Sequence, residues 1–270
     1  MCPLHKIGVF DSGFGGLTVL KALLEVVPQA EYLYFGDTAR LPYGSKSVET
    51  VAKYACEAAR FLEHRGAGLL VVACNTATAL ALDEIRQRVS IPVVGVVEPG
   101  AGQASAASRS RKAVVIGTEA TISSHAYRHA LGKHRMEACE KACPLLVPLV
   151  EEGWTDHPVT EQVARIYLGE AFADGFAPAD VLLLGCTHYP LLKPLLRRVI
   201  PQSVTLVDSA ASTALAVANV LRELARSDSS RLRSGEVEFF VTDSVQKFER
   251  LGKLFLARPI ENITHVELKE

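Results

Sequence analysis

One strand–thiol–helix unit occurs twice in this chain, and that repetition constrains the fold more than any other feature. Around Cys74 the sequence runs Ala67-Gly-Leu-Leu-Val-Val-Ala-Cys-Asn-Thr. Around Cys186 it runs Ala179-Asp-Val-Leu-Leu-Leu-Gly-Cys-Thr-His. Each reads as an apolar strand, a small residue, a cysteine, then polar residues opening a helix. The match continues downstream. Arg88-Val89 with Ile91-Pro92 answers Arg198-Val199 with Ile200-Pro201. Val94-Gly-Val-Val-Glu-Pro-Gly-Ala answers Val204-Thr-Leu-Val-Asp-Ser-Ala-Ala. Two such halves facing each other place two thiols on opposite sides of one cleft. That arrangement suits a reaction needing a base on one face of a carbon and an acid on the other.

Strand and helix patterns alternate along the rest of the chain. Strands are predicted at Lys6 to Asp11, Tyr32 to Asp37, 69–73, Val93 to Val97, Lys112 to Thr118, 181–185, Val204 to Val207 and around Phe239. Helices are predicted from Leu17 to before Pro28, and over Ser47 to Arg65, Ala77 to Val89 and Ser123 to Leu131. Others are predicted over Val159 to Phe172, Leu191 to Val199, Ala210 to Ala225 and Val245 to Leu256. Glu98-Pro-Gly-Ala-Gly opens a composition break that runs to Arg111. Ser227 to Ser234 reads as a polar loop. The alternation predicts an α/β fold of two pseudo-symmetric domains with mainly parallel sheets and a site in the cleft between them. Residues 1–97 with 210–270 form the first expected domain and 98–209 the second. The crossings then fall at Glu98-Pro-Gly-Ala and Asp208-Ser-Ala-Ala, a candidate hinge.

Composition narrows the class. The chain has 270 residues, 22% of them charged, and a formal net charge of −1, so no broad basic footprint for nucleic acid exists. The longest apolar run, Leu69 to Leu82, is broken by Asn75, Thr76 and Thr78, too soon for a membrane span. Residues 1–10 carry no signal-peptide core, which places the expected compartment in the cytoplasm, where thiols stay reduced. The six cysteines show no C-x-x-C spacing. Cys139 and Cys143 with His134 form a weak metal candidate without a second ligand cluster, so no metal is expected.

Ligands of parallel α/β sheets bind beyond the carboxyl ends of the strands. Asp11, Asp37, Cys74, Thr118 and Cys186 all fall at predicted strand ends. Cys56, Cys139 and Cys143 read as core packing. Cys74 and Cys186 each precede a predicted helix, whose N-terminal dipole and free N–H groups favour a thiolate. Asp11-Ser-Gly-Phe-Gly-Gly lacks the spacing of a nucleotide loop. It is a tight strand-to-helix turn, with Asp11 expected to face the cleft and meet an ammonium or orient an acid–base partner. His188 shares the Cys186 loop and is placed to tune that thiol. Arg40-Leu-Pro-Tyr-Gly-Ser is turn chemistry able to offer backbone donors to a carboxylate. Glu151 and Glu152 follow the apolar run Leu145 to Val150, and either is able to enter the cleft if that run is a strand.

Taken together, these residues resemble the glutamate racemase family from Ile7 to about Phe255. The resemblance is carried by Gly8-Val-Phe-Asp-Ser-Gly-Phe-Gly-Gly-Leu-Thr, Asp37-Thr-Ala-Arg-Leu-Pro-Tyr-Gly and Ala73-Cys-Asn-Thr-Ala-Thr-Ala. Pro148-Leu-Val-Glu, Leu184-Gly-Cys-Thr-His-Tyr-Pro-Leu-Leu and Phe240-Val-Thr complete it. One departure is Asp243-Ser, where the pattern has glycine beside the acid. The family interconverts L- and D-glutamate without a cofactor, and D-glutamate enters bacterial peptidoglycan. The resemblance implies that Cys74 takes the α-proton from D-glutamate and Cys186 from L-glutamate. It implies substrate contacts from Asp11, Ser12, Pro42, Tyr43, Gly44, Asn75, Thr76, Thr118, Thr187 and His188. Asp11, His188 and Glu151 are implied to assist the thiols, with Glu152 the rival for the last role. A homodimer is implied, and for some members a secondary interaction with DNA gyrase. The alternatives are an aspartate or hydantoin racemase, a gyrase-binding role that needs no thiols, and a two-lobed periplasmic-type binding protein.

Overall fold

The computed structural model describes residues 6–173, 175–225 and 236–268. The polar loop expected over 227–234 lies outside them. The chain begins with β1 (Lys6–Asp11), α1 (Leu17–Val26), β2 (Glu31–Gly36), α2 (Val48–His64), β3 (Leu69–Val72), α3 (Asn75–Arg88) and β4 (Val93–Gly95). Helix α4 (Val97–Ala107) then leads to β5 (Lys112–Gly117), α5 (Glu119–Ser123), α6 (Ala126–Lys133), β6 (Glu137–Ala142), α7 (Leu146–Glu151) and α8 (Pro158–Ala171). Next come β7 (Val181–Gly185), α9 (Lys193–Val199) and β8 (Thr205–Asp208). Helix α10 (Ala210–Ala225) leads back to β9 (Val237–Val241), α11 (Val245–Leu256) and β10 (Ile263–His265).

The strands form two sheets, ordered β10-β9-β2-β1-β3-β4 and β6-β5-β7-β8, and every pairing is parallel. The order β2-β1-β3-β4 is repeated as β6-β5-β7-β8, so the duplicated sequence is a duplicated topology. Both faces of both sheets are covered, which is why the central strands read as unbroken apolar runs. Along β1 and β2, Ile7, Val9, Tyr32 and Tyr34 enter one core, while Phe10, Leu33 and Phe35 enter another. The second sheet alternates the same way, with Val114, Ile116, Leu182 and Leu184 opposed to Ala113, Val115, Val181 and Leu183.

Several local expectations need correction. The composition break after Val97 is helix α4, with Val97, Gly100, Ala101 and Ala104 buried. Pro99 sits in its first turn, where a missing N–H costs nothing. The run Leu145 to Val150 is not a strand but leads into α7, with Leu146 and Val150 buried. The helix expected over Ser123 to Leu131 is broken in two at His125, whose φ is 54°. Strands β6 and β10 lie at sheet edges and carry the charged or polar Glu137, Glu140, Lys141, Thr264 and His265. An edge strand need not be apolar on both faces, so neither announces itself in the sequence.

Candidate active site between the two sheets

Strand order reverses at the same point in each sheet. Strand β1 is flanked by β2 and β3, and β5 by β6 and β7. Connections leave such a pair in opposite directions and open a crevice at the carboxyl ends. The two crevices face each other and close on a cavity of about 40 Å³. From the first sheet it is bordered by Ser12, Pro42, Tyr43, Gly44, Cys74, Asn75 and Thr76. From the second it is bordered by Thr118, Val147, Cys186, Thr187 and His188. Small-molecule sites commonly run to about 300–1,000 Å³, so this cavity is narrow for an amino acid as it stands. Two glycines permit this approach. A Cβ on Gly15 would stand 2.2 Å from Thr187 Oγ1, and one on Gly44 would stand 2.6 Å from Thr118 Cβ.

Cys74 caps α3. Its Sγ accepts the Ala77 N–H at 3.4 Å and donates to Ser12 Oγ at 3.5 Å. Burial and the nearby charge of Asp11 push the thiol up to about 12, outweighing the Ala77 and Ser12 hydrogen bonds. The helix terminus therefore does not make a ready thiolate of Cys74 in the closed cavity, contrary to the expectation from its position.

Cys186 differs in two respects. A short 3₁₀ turn, Tyr189–Leu192, follows it, and α9 begins only at Lys193. The expected helix N-terminus is displaced, and Pro190 and Pro194 provide no N–H groups. What Cys186 has instead is His188, whose Nδ1 lies 3.9 Å from Sγ. His188 Nε2 meets Glu151 Oε1 at 3.2 Å, and its ring packs edge-on against Phe255 at 5.1 Å between centroids. Burial alone pulls the imidazole down, but the bonds to Cys186 and Glu151 prevail and raise it to about 10. Glu151 is raised by burial but held below the usual carboxylate range by His188 and by Lys247, 3.8 Å away. The pair is therefore ionised at neutral pH, with a cation against the Cys186 sulfur. Glu152 is exposed, so of the two neighbouring acids it is Glu151 that reaches His188.

Asp11 does not border the cavity. It lies fully buried behind the wall, accepting Gly13 N–H at 2.9 Å and the Thr187 hydroxyl at 3.5 Å. Burial raises its carboxyl, an effect that His188, the Gly13 and Gly16 N–H groups and Thr187 partly offset. Tyr43 is aimed by Asp37, which accepts its hydroxyl at 2.5 Å. Asp37 also takes Arg40 Nε at 2.8 Å and Thr242 Oγ1 at 2.8 Å. This explains the Phe240-Val-Thr motif, since Thr242 clamps the loop that carries Tyr43. Across the cavity, the hydroxyls of Thr76, Thr118 and Thr121 form a triangle with edges of 3.0, 3.0 and 2.9 Å.

Thr121, Val147, Lys247 and Tyr127 were not evident in the sequence. Tyr127 donates to Asn75 Oδ1 at 2.5 Å from 52 positions away, and such a separation leaves no sequence signal. Cys143 is fully buried and Cys139 partly so, on β6. Among the described residues no three His, Cys, Asp or Glu side chains are grouped to hold a metal ion. Nor is any described helix long and apolar enough to cross a membrane.

The family model for Asp/Glu/Hydantoin racemase matches residues 7–217. A glutamate racemase from Koribacter versatilis (strain Ellin345) is 58% identical, over 97% of this chain and 97% of its own. Two solved structures are also similar. The glutamate racemase of Francisella tularensis subsp. tularensis SCHU S4, in complex with D-glutamate, has a TM-score of 0.89 at 35% identity, covering 98% of each chain. That of Thermus thermophilus, in complex with β-chloro-D-alanine, has a TM-score of 0.87 at 44% identity, covering 99% of each chain. With paired thiols at matching switch points and this relatedness along nearly its whole length, the chain belongs to the Asp/Glu/Hydantoin racemase family.

Proposed function

We propose that this protein interconverts L- and D-glutamate without a cofactor, by proton transfer between two cysteines. The observation that carries the reading is the placement of Cys74 and Cys186, one from each sheet, on one closed cavity. With imidazolium His188 as counter-ion, Cys186 removes the α-proton of L-glutamate as a thiolate. The C–H electron pair moves onto the α-carbon and into its carboxylate. Cys74, a thiol in the resting cavity, delivers its proton to the opposite face. A new C–H bond forms, and the negative charge passes from Cys186 to Cys74. From D-glutamate the roles exchange, and Cys74 takes the proton. The polar side chains bordering the cavity (Ser12, Asn75, Thr76, Thr118 and Thr187), with the backbone of Pro42, Tyr43 and Gly44, hold the carboxylates and ammonium. The charge developing in the transition state is met by fixed donors in a dry site. Glu151 sustains the imidazolium, and Asp11 acts from behind the wall by orienting Thr187.

A 40 Å³ cavity means that the halves must part to admit substrate. The proposed lobes are 1–97 with 210–270, and 98–209, turning on the paired crossing helices α4 and α10. X-ray scattering with and without glutamate tests this, and an unchanged radius of gyration counts against it.

The decisive experiment is proton NMR of the protein with each glutamate enantiomer in D₂O, alongside polarimetry. Loss of the α-proton signal and decay of rotation from both enantiomers are expected. No exchange with either would overturn the reading and move aspartate to the front. The same reading places the protein in the cytoplasm, supplying D-glutamate for peptidoglycan, as a homodimer; light scattering in solution checks the assembly. A secondary gyrase interaction is tested with a Cys74→Ala/Cys186→Ala double variant in a supercoiling assay, where inhibition independent of the thiols is the expected sign.

A further inference from the structure

Asn75 borders the cavity and is 3% exposed, yet its Nδ2 has no hydrogen-bond partner. A buried amide N–H without an acceptor is costly, and native structures keep such groups chiefly where they have work to do. The other end of the same carboxamide is committed. Tyr127 of α6, on the side of the second sheet, donates its hydroxyl to Asn75 Oδ1 at 2.5 Å. The phenol is itself fixed. It is fully buried. Its ring fills the space that two glycines leave open: a Cβ on Gly185 would meet it at 3.0 Å and one on Gly100 at 3.5 Å. Gly185 immediately precedes Cys186. In the Tyr127–Asn75 bond the phenol donates, because Asn75 Oδ1 is only an acceptor.

We propose that Tyr127 is a positioning residue for the reaction: its hydroxyl, reaching across from the second sheet, locks the Asn75 carboxamide with Nδ2 free to donate to a carboxylate of the bound amino acid. The inference rests on the racemase reading of the site. An asparagine amide has two orientations of nearly equal shape, one offering donors and the other a carbonyl that repels a carboxylate. The Tyr127 hydroxyl selects the first. As the α-proton leaves, negative charge flows into the adjoining carboxylate. A donor aimed there strengthens in the transition state and acts on kcat as well as KM.

The test is a double-mutant cycle of Tyr127→Phe and Asn75→Ala on the racemisation rate. Wild-type protein is assayed first, and if it exchanges neither enantiomer the racemase reading falls, whatever Tyr127 does. With wild-type activity in hand, Tyr127→Phe is expected to lower kcat/KM about 10- to 100-fold, with kcat itself reduced. In the Asn75→Ala background the same change is expected to cost less than about twofold, because the hydroxyl acts through Asn75. Near-normal rates for Tyr127→Phe, or losses that multiply in the double variant, would overturn the proposal. If Tyr127→Phe does not fold, the side-chain NH₂ signals of Asn75 are followed in ¹⁵N-labelled wild type during titration with glutarate, a dicarboxylate without an α-amino group. A clear shift of that pair is expected, and an unmoved pair overturns the proposal equally well.

Discussion

The Cys74 and Cys186 loops begin from one shared sequence pattern and end in different electrostatic surroundings. Cys74 caps a 14-residue helix, takes one backbone N–H and has no cation in contact; burial and Asp11 keep it a thiol. Cys186 precedes a 3₁₀ turn and a 7-residue helix carrying Pro190 and Pro194, and takes its charge partner from His188. A duplicated backbone therefore delivers two sulfurs to equivalent places without giving them equivalent electrostatic surroundings: Cys74 has Asp11 nearby, and Cys186 has His188.

The strongest way to break the comparison is to remove each sulfur alone. Cys74→Ala and Cys186→Ala are each expected to lower racemisation by at least about 10³-fold. The first keeps α-proton exchange from L-glutamate and the second from D-glutamate, neither with inversion, as NMR in D₂O would show. Racemisation by either variant at near-normal rate would end the two-thiol account. Gly15→Ala presses from the first sheet onto the second thiol's loop, with its Cβ 2.2 Å from Thr187 Oγ1 and 2.7 Å from His188 Nδ1. Displacing that wall is expected to cost about 100-fold in kcat/KM, measured by steady-state kinetics of the folded variant.

Glu151→Gln touches only the Cys186 side and sharpens the contrast. Without that anion the imidazolium is lost at lower pH. The alkaline limb of the rate profile should move down by about one unit, with roughly a fivefold loss at pH 10 and little change at pH 8. Stability tests the same pair. His188 is raised from 6.5 to about 10 on folding, so its contribution is full below 6.5 and is lost as pH rises through about 10. Above 9.0 ionisation of the unfolded Cys74 thiol adds the same slope to both proteins. Between about 9 and 10 the wild-type melting temperature should therefore fall with pH more steeply than that of Glu151→Gln. The smallest expected effect lies in the crossing helices. Gly102 of α4 matches Ser212 of α10 in the duplicated register, and a Cβ at Gly102 meets nothing within 4 Å. Gly102→Ala should stabilise by about 0.5–1 kcal/mol, seen as a higher melting temperature with unchanged turnover.

Much of this molecule is legible before it folds. Strands β1, β3, β5 and β7 are buried on both faces, so their apolar runs are unmistakable, and the small residues Ala73 and Gly185 before each cysteine mark where each ends. Helix α4 misleads because Pro99, Gly100 and Gly102 look like a linker, although proline is harmless in a first turn and small residues let the helix lie close to Ser209 and Tyr127. Edge strand β6 misleads because Glu140 and Lys141 sit where only one neighbour demands pairing. Within the site, Cys74, Cys186, His188 and the threonines next to the thiols are evident because they sit on the repeated motif. Tyr127, Thr121 and Lys247 are not, because each acts on a partner far along the chain.

Local order along the chain thus settled the α/β class, the mainly parallel sheets, and a thiol at the end of a strand in each half. These follow from periodicity and turn chemistry, which act between near neighbours. Packing alone decided which of Glu151 and Glu152 reaches His188, why Cys74 rests as a thiol, and which way the Asn75 amide faces. Those outcomes depend on burial and on charges brought together through space, and neither quantity exists until the two halves close on each other.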